Sequence, residues 1–335
     1  MKHRVGIVGL GVWPREAYLP LLAERDDVEI VAVAARSEAT RRVAREALGA
    51  GPRVVDDYRQ VLEDDAVDAI MVALPNRMHL AALEAAAKTD KHLFIEPPLG
   101  NDPDEVAQAL QLLEGFERVV HVDLELRYLP VVETVGALLR KKVLGEIRSA
   151  EVCLCANWGY GGGGYDPTIA EDGFFSFLGA WYLDLLDVVF SEAPTAARVI
   201  GGRAMNGLLM DHGWASLAYP GDRIGQFAFS IVDVEELAIN MTVQGAAGKL
   251  EADLMSGICR WRGETTPWQQ HEVPASQPAH GFVGMRESLA AFFAAVAEDK
   301  SSPTGLGVAG RVHQAVAMCA RQEMLNPSGT AENLQ

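Results

Sequence analysis

The chain has 335 residues, of which 49% are hydrophobic and 22% charged, and its formal net charge is −17. This length exceeds what one hydrophobic core usually supports, so we expect two domains. The negative charge argues against a nucleic-acid-binding surface, and no apolar run reaches the roughly 18 residues of a membrane span. We therefore expect a cytoplasmic protein that acts on a small-molecule substrate.

The four cysteines are scattered along the chain. Cys153 and Cys155 form a C-x-C pair in an expected strand, but two thiols do not complete a metal site. We expect buried or inert thiols and no metal.

The first part of the chain alternates strand-like and helix-like segments. Helical patterns occur at Leu80–Lys88 and at Asp102–Leu113, the latter with Asp102 as a cap and Pro103 in the first helical position. Strands that are apolar on both faces and joined by helices indicate a doubly wound parallel sheet. The expected strands are Arg4–Leu10, Val28–Ala34, Val67–Leu74, His92–Ile95 and Val119–Val122.

After about residue 146 the pattern changes to period-2 alternation. Phe227, Phe229 and Ile231 alternate with more polar residues, and the segment from Leu237 to Val243 repeats the pattern. This alternation is typical of antiparallel strands with one buried face, so we predict an α+β domain with an open, mostly antiparallel sheet. The predicted helices are Phe174–Phe190, Phe282–Glu298 and Gly305–Gln322. We place the two domains at residues 1–125 and 126–330.

A glycine-rich turn follows the first strand. Gly9 allows the tight turn, and Gly11 lets the backbone of Val12 and Trp13 approach a pyrophosphate at the start of a helix. Pro14 stands where a third Gly or Ala is usual, which removes one possible phosphate donor. Inside a βαβ unit this motif predicts a Rossmann domain that binds a dinucleotide, although a tight turn without a cofactor is the alternative.

The end of the second strand indicates which dinucleotide binds. An acid there would bind the ribose of NAD, but the chain has Ala35 followed by Arg36 and Ser37, with Arg41 one turn later. A guanidinium and a hydroxyl suit the 2′-phosphate of NADP. We predict NADP, with NAD possible. The alternative is that Arg36 is only a solvated residue.

Further motifs make the whole chain resemble the glucose–fructose oxidoreductase, inositol dehydrogenase and rhizopine-catabolism (Gfo/Idh/MocA) family. They are Leu74-Pro75-Asn76-Arg77-Met78-His79, the strand end at Glu96, Arg127-Tyr128-Leu129-Pro130 and a late helix with Glu287-Ser288-Leu289. The resemblance implies a Rossmann domain followed by an α/β domain, and hydride transfer between NAD(P) and a small molecule. It also implies a homodimer or homotetramer formed through the C-terminal sheet. The cofactor would contact Pro75, Asn76, His79, Glu96 and Pro97.

The chain departs from the family where catalysis takes place. The family's Glu-Lys-Pro motif is Glu96-Pro97-Pro98 here, and the Asp and His of the second-domain helix are replaced by Phe177 and Trp181. Proline has no titratable proton, so it cannot polarise or deprotonate a substrate oxygen. Phe177 and Trp181 are four residues apart and would share one helix face. We therefore expect an aromatic wall that binds substrate in place of polar groups.

Several other residues could replace the family's proton-handling groups. Glu96, His121 and Tyr182 could take part in catalysis, but each has a structural alternative: a loop-holding carboxylate, a hydrogen-bonded core histidine, or a tyrosine that faces away. Arg127 could bind a substrate carboxylate or pair with an acid such as Glu125. Tyr165 flanks a glycine-rich loop that could close over the site or remain solvated.

Three functions are compatible with these features. The first is NAD(P)-dependent hydride transfer to or from an apolar, conjugated or otherwise non-sugar molecule. The second is a catalytically inactive member that binds a nucleotide or ligand as a sensor or assembly partner. The third is a non-redox enzyme that reuses the cleft. The retained cofactor turn favours the first.

Overall fold

The computed structural model describes residues 2–158, 173–204, 210–234, 237–274 and 283–325. Contacts divide the chain into two compact units, Met1–Glu125 with Pro278–Gly310, and Leu126–Gln277 with Arg311–Gln335. Within the described ranges, no helix is both long enough and apolar enough to cross a membrane.

The first unit contains a parallel sheet of six strands among the described residues. The strand order is β3-β2-β1-β4-β5-β6, which is the order of a doubly wound dinucleotide-binding sheet, with its crevice where β1 lies beside β4. The predicted fold class is confirmed for this half of the chain. The strands are β1 (His3–Val8), β2 (Val28–Ala34), β3 (Arg53–Val55), β4 (Ala69–Val72), β5 (His92–Ile95) and β6 (Val120–Val122).

The second unit contains a mixed sheet in the order β14-β13-β12-β11-β7-β10-β9-β8. Its pairings are antiparallel except for β7 with β10, which run parallel, so the prediction of an open, mostly antiparallel sheet is confirmed. The strands are β7 (Ile147–Ala156), β8 (Ala196–Gly202), β9 (His212–Tyr219), β10 (Arg223–Ser230), β11 (Leu237–Gly245), β12 (Gly248–Asp253), β13 (Ile258–Gly263) and β14 (Gln269–Glu272).

The helices begin and end close to the predicted positions, and the one at Phe174–Phe190 has the predicted bounds. Asp102 caps its helix through hydrogen bonds from the backbone of the first turn, as predicted. The helices are α1 (Leu19–Ala23), α2 (Glu38–Leu48), α3 (Arg59–Leu62), α4 (His79–Ala86), α5 (Pro103–Leu112), α6 (Pro130–Arg140), α7 (Phe174–Phe190), α8 (Met285–Glu298) and α9 (Leu306–Leu325).

Helix α8 belongs to the first unit although it follows the second sheet in the chain. Its apolar side chains Met285, Leu289 and Phe292 are buried in the same core as Ile7 and Phe94 of the parallel sheet. The Phe94 and Phe292 rings meet edge to face with centroids 5.5 Å apart. The predicted second domain, residues 126–330, includes this helix, whereas its contacts group it with the first unit. Sequence order alone could not assign it.

In the second unit, α7 covers one face of the mixed sheet. Phe174 stacks on Phe229 with ring centroids 3.9 Å apart, and Tyr182 stacks on Phe227 at 5.3 Å. The start of α7 is capped from α9, because Glu323 accepts hydrogen bonds from the first backbone N–H groups of α7. The aromatic residues of β10 are thus buried on one face, as their alternation predicted.

Candidate active site

The glycine turn after β1 has the geometry that a dinucleotide requires. Gly9 has φ +94°, and a Cβ at this position would clash with the carbonyl oxygen of Ala73 beyond the end of β4. At Gly11 a Cβ would meet only the Cδ of Pro14, 4.0 Å away, so the space beside its backbone is open. Val12 is 60% exposed on the same turn. The turn thus fits a pyrophosphate approaching the backbone at Gly11.

The helix that follows the turn begins with an unusual segment. Pro14–Tyr18 forms a π-helical stretch that leads directly into α1, and its first residue has no N–H to offer. The carboxyl side of the turn therefore offers phosphate fewer backbone donors than a regular helix start. Trp13, immediately before this segment, is partly buried against the core of the first unit.

At the end of β2, the three predicted NADP-binding residues have different surroundings. Ser37 caps α2 by accepting a hydrogen bond from the Thr40 backbone, and Arg41 donates to the carbonyl oxygens of Ala35 and Arg36. Arg41 also pairs with the Glu38 carboxylate. Arg36 is exposed, and its guanidinium makes no hydrogen bond or ion pair with the described residues. Arg36 is therefore the cation available to a ligand phosphate.

The segment Leu74–His79, which follows β4, is hydrogen-bonded to neighbouring backbone at the carboxyl edge of the sheet. His79 is buried, with Nδ1 2.6 Å from the Pro98 carbonyl oxygen and Nε2 2.7 Å from that of Leu74. Burial lowers the pKa of His79, although both carbonyl contacts oppose this. His79 thus ties together the segments that follow β4 and β5. Pro75 is exposed and Asn76 partly exposed at the same edge.

Glu96 lies directly after β5 and connects this edge to the glycine turn. The indole N–H of Trp13 donates to Glu96 Oε1 at 2.8 Å, and Glu96 is 8% exposed. Burial raises the pKa of Glu96 well above its usual range, the carboxylates of Asp123 and Glu125 raise it further, and the Trp13 bond opposes the rise. The next residue, Pro97, is buried and joined to Pro98 by a cis peptide bond.

Asp123, which sequence reasoning did not single out, faces Glu96 from the end of β6. Its carboxylate is fully buried, and Oδ1 accepts a 2.5 Å hydrogen bond from the hydroxyl of Ser288 on α8. Burial raises the pKa of Asp123 to about 7, while the hydrogen bond from Ser288 and the nearby Glu96 carboxyl lower it. The neighbouring Asp123 carboxyl in turn raises the pKa of Glu96, after the larger effect of burial.

His121 is held inside this polar group. Its Nε2 lies 3.0 Å from the Ser288 hydroxyl and its Nδ1 lies 2.8 Å from the Ser302 hydroxyl. The ring stacks on Phe94 with centroids 4.9 Å apart. Burial lowers the pKa of His121 to about 3, so the imidazole is neutral at physiological pH. These contacts are those of a core histidine whose two ring nitrogens are both hydrogen-bonded, which was the structural alternative for His121.

In the second unit, α7 carries the residues that replace the family's Asp and His. Phe177 and Trp181 are partly exposed, one helical turn apart. The Trp181 ring N–H is buried and has no hydrogen-bond partner among the described residues. Tyr182, by contrast, is buried and stacked on the sheet at Phe227. Phe177 and Trp181 thus remain candidates for substrate contact, whereas Tyr182 packs into the core of its unit.

Arg127 is part of a buried ion network rather than an isolated cation. Its guanidinium donates to the carboxylates of Asp184 and Asp187, and Arg311 also donates to Asp187. Burial disfavours the charge on Arg127, but the two carboxylates outweigh burial and raise its pKa. Arg127 therefore pairs with an acid, as one alternative predicted, although the acids are on α7. Tyr165 lies outside the described residues.

These side chains place two facing carboxyls, a neutral histidine and two hydroxyls at the carboxyl edge of the nucleotide-binding sheet. Asp123, Ser288 and Ser302 were missed because Ser288 and Asp123 are 165 residues apart in the chain. The one signal of this group in the sequence was the position of Asp123, two residues after His121 at the end of the predicted strand Val119–Val122. Among the described residues, no three His, Cys, Asp or Glu side chains are arranged to hold a metal ion.

Solved structures share the fold over nearly the whole chain. A levoglucosan dehydrogenase in complex with NADH and levoglucosan superposes with a TM-score of 0.82, at 16% identity, covering 97% of this chain and 98% of its own. A variant of a 3-ketoreductase from Actinomadura kijaniata, in complex with TDP-benzene and NADP, gives a TM-score of 0.74 at 20% identity, covering 96% and 98%. At these identities the likeness concerns the fold alone.

Curated relatives match parts of the chain. A dTDP-3,4-didehydro-2,6-dideoxy-alpha-D-glucose 3-reductase from Streptomyces antibioticus is 32% identical over 156 residues, 44% of this chain and 44% of that protein. The chain thus matches less than half of that relative's length. A trans-1,2-dihydrobenzene-1,2-diol dehydrogenase from Bos taurus is 25% identical over 252 residues, 74% of this chain and 73% of its own.

Two family models together cover most of the chain. The model of an oxidoreductase family with an NAD-binding Rossmann fold matches residues 3–124, and that of the GFO/IDH/MocA C-terminal domain matches residues 132–251. The first match contains the glycine turn, His79, Glu96 and Asp123, and the second contains α7. The predicted resemblance is confirmed: the chain belongs to the Gfo/Idh/MocA family of oxidoreductases and has its NAD(P)-binding Rossmann fold.

Proposed function

We propose that this protein transfers hydride between NADP(H) and a small molecule that is apolar, conjugated or otherwise not a sugar. The observation that carries this proposal is the buried Pro97 directly after Glu96. A lysine at this position would polarise a hydroxyl or carbonyl oxygen of a polyol and move its proton. Proline can do neither, so a substrate that depends on such a group gains nothing from this site.

Support for NADP comes from the end of β2. Ala35 puts no carboxylate where a ribose 2′-hydroxyl would be bound, and the exposed Arg36 guanidinium has no partner among the described residues. A guanidinium can bind a phosphate through two parallel hydrogen bonds. The neighbouring Arg41 is engaged with Glu38, so Arg36 is the cation that can provide discrimination between the two cofactors.

Support for an apolar substrate comes from α7 and from one relative. Phe177 and Trp181 are partly exposed aromatic rings on one face of the helix, and such rings favour flat, conjugated ligands through offset stacking. The bovine relative, matched over 74% of this chain, is named for a dihydrobenzene diol rather than a sugar.

The test has a binding step and a turnover step. The purified chain is titrated with NADPH and NADH by calorimetry, and NADP reduction is then followed with glucose, inositol and trans-1,2-dihydrobenzene-1,2-diol. We expect tighter binding of NADPH and no reduction with glucose or inositol. Robust oxidation of glucose or inositol would refute the substrate class. Tight NADPH binding without turnover of any compound would favour the inactive, ligand-binding alternative.

A further inference from the structure

The buried polar residues behind Glu96 form a hydrogen-bonded chain with a single direction. The Ser288 hydroxyl donates to Asp123 Oδ1, so its oxygen must accept from His121 Nε2, which therefore carries the hydrogen. A neutral imidazole with hydrogen on Nε2 has only an acceptor at Nδ1, and the Ser302 hydroxyl donates to it at 2.8 Å. Every donor in the chain thus points toward Asp123.

The two ends of this chain differ in their surroundings. His121 and Ser288 are fully buried, whereas Ser302 is 8% exposed in the segment between α8 and α9. The backbone N–H of Thr304 donates to the Ser302 oxygen and holds it in place. The chain therefore runs from near the surface of the first unit to the carboxylate beside Glu96.

At the buried end of this hydrogen-bonded chain, one oxygen of Asp123 has no hydrogen-bond partner among the described residues. Asp123 Oδ2 is buried without a hydrogen-bond partner within 3.5 Å among the described residues. The carboxyl group of Asp123 faces that of Glu96, and Glu125 is the other charged group that faces Glu96. The hydrogen bonds of the network therefore reach only one of the two oxygens of Asp123. The other oxygen is free of donors within the described residues, beside a carboxyl whose pKa is raised.

We propose that Glu96 and Asp123 together hold the proton that the reaction consumes or releases, and that Ser302, His121 and Ser288 exchange it with solvent. This inference rests on the proposed hydride transfer, for which the nicotinamide would supply the hydride. The carboxyl pair then takes the place of the lysine that position 97 lacks. The hydrogen-bonded chain lets a deeply buried carboxyl regain its proton without opening the site to water.

The proton movement balances without any other reactant. When a substrate takes the proton of Glu96, the O–H bond of Glu96 breaks, a bond to the substrate forms, and a carboxylate remains. Ser288 gives its proton to Asp123, which passes a proton on to Glu96; His121 then protonates Ser288 from Nε2, and Ser302 protonates His121 at Nδ1. One proton enters at Ser302 from water, and no electrons move along the chain. Substrate oxidation runs the same steps in reverse.

The first experiment measures the proton on Glu96 in the cofactor-free protein, by infrared spectroscopy of the carboxylic acid carbonyl band at neutral pH. We expect one buried acid band that Glu96→Gln abolishes and that the matched exposed-site control Glu114→Gln leaves unchanged. Asp123→Asn should lower the pH at which this band titrates, because it removes the neighbouring negative charge. A neutral-pH spectrum that is identical in Glu96→Gln and wild type would overturn the proposal.

The second experiment measures exchange along the chain. After rapid transfer into D₂O, the shift of the Glu96 band reports how fast its proton exchanges. Ser288→Ala should slow this exchange on the order of a hundredfold, the lower end of what a positioned proton-transfer group contributes, and Ser288→Thr should restore it. Equal exchange rates in wild type and a folded Ser288→Ala variant would overturn the relay.

A measurement on wild-type protein covers the case in which Ser288→Ala does not fold. Nitrogen NMR should show His121 as the neutral tautomer with hydrogen on Nε2, and the opposite tautomer would overturn the direction of the chain. All of these readouts use cofactor-free protein. A failure of NADPH binding or turnover would therefore refute the proposed function separately from the proton chain.

Discussion

Trp13 and Glu96 are 83 residues apart in the chain and are joined by a 2.8 Å hydrogen bond from the indole N–H to the carboxyl Oε1. Trp13 belongs to the turn that fits the cofactor, and Glu96 directly follows β5 at the carboxyl edge of the same sheet. The bond therefore connects cofactor binding to the protonation of Glu96, since it favours the charged form of that carboxyl.

The first prediction concerns this bond. Trp13→Phe removes the N–H but keeps an aromatic ring, so the pKa of Glu96 should rise further above its usual range. Infrared titration of the Glu96 carbonyl band in the cofactor-free protein measures the change. Trp268→Phe, a change at a residue that is 45% exposed in the second unit, serves as the control and should not move the titration.

The second prediction concerns cofactor choice. Arg36→Ala should weaken NADPH binding roughly tenfold to a hundredfold, the usual range for one lost hydrogen-bonded charge contact, and should leave NADH binding nearly unchanged. Arg42→Ala is the matched control, because Arg42 is an exposed arginine on α2, the helix that begins just after Arg36, and it pairs with Glu46. Equal affinities of the wild-type protein for the two cofactors would refute the assignment.

The third prediction concerns stability and pH. Burial raises the pKa of Asp123 from 3.8 to about 7, so between these pH values the folded state holds a proton that the unfolded chain has lost. The contribution of Asp123 to the free energy of unfolding therefore falls as pH rises from about 4 to about 7, by about 4 kcal/mol at most. The Asp123→Asn variant has no carboxyl at this position, so its free energy of unfolding lacks this pH-dependent decrease.

The comparison is made by urea unfolding of wild type and Asp123→Asn at several pH values. The stability of the variant relative to wild type should increase across this window and level off above about pH 7. His121 titrates in the opposite sense, because its folded pKa is lowered to about 3, but it is present in both proteins. Because Asp123 also raises the pKa of Glu96, the comparison is repeated in a Glu96→Gln background, where Glu96 no longer contributes. A constant difference at every pH would contradict the raised pKa of Asp123.

The fourth prediction concerns self-association through the second sheet. Trp214 is 60% exposed, and its cross-strand neighbour Ile200 is 55% exposed on the same face. Such an exposed apolar patch is typical of an association surface. We expect wild type to sediment as a dimer or larger species at micromolar concentration and Trp214→Glu to sediment as a smaller one. Leu112→Glu, a change at a 37% exposed residue of α5 in the first unit, is the control, and a monomeric wild type would refute the prediction.

The fifth prediction concerns the aromatic helix face. Trp181→Ala should weaken the binding of trans-1,2-dihydrobenzene-1,2-diol in the presence of NADPH by roughly tenfold, since an aromatic contact contributes about 0.5–1.5 kcal/mol beyond its buried area. The pH dependence of any turnover should stay unchanged, because Trp181 carries no titratable proton. Trp181→Phe should keep most of the affinity. A pH profile of turnover that shifts in Trp181→Ala would contradict the prediction that Trp181 only contacts the ligand.

The strands and the nucleotide turn could be predicted from the sequence because their signals are local. The bounds of β2, β5 and α7 match the predicted ones, and Gly9 has the positive φ that its turn requires. Short strands such as β3 were missed, since three residues carry too little periodicity to be distinguished from a loop.

The proton-sharing group could not be predicted for a different reason. The pKa of Asp123 depends on Ser288, Glu96 and complete burial, and none of these is encoded near position 123. Helical periodicity placed Ser288 on an expected helix but could not say which sheet this helix covers. The replacement of the family's lysine by Pro97 was visible in the sequence, whereas the carboxyl pair beside it emerges only from the tertiary fold.

The return of α8 to the first unit has a consequence for how the protein is made. A nascent chain that has emerged only as far as Glu125 contains every strand of the parallel sheet but lacks Phe292, Phe293 and Leu289, which complete its core. Folding of the nucleotide-binding half must then wait until the second sheet has been synthesised. A fragment ending at Glu125 would expose Phe94 and leave His121 without its serine partner on α8, so this half of the protein cannot be detached as an independent module.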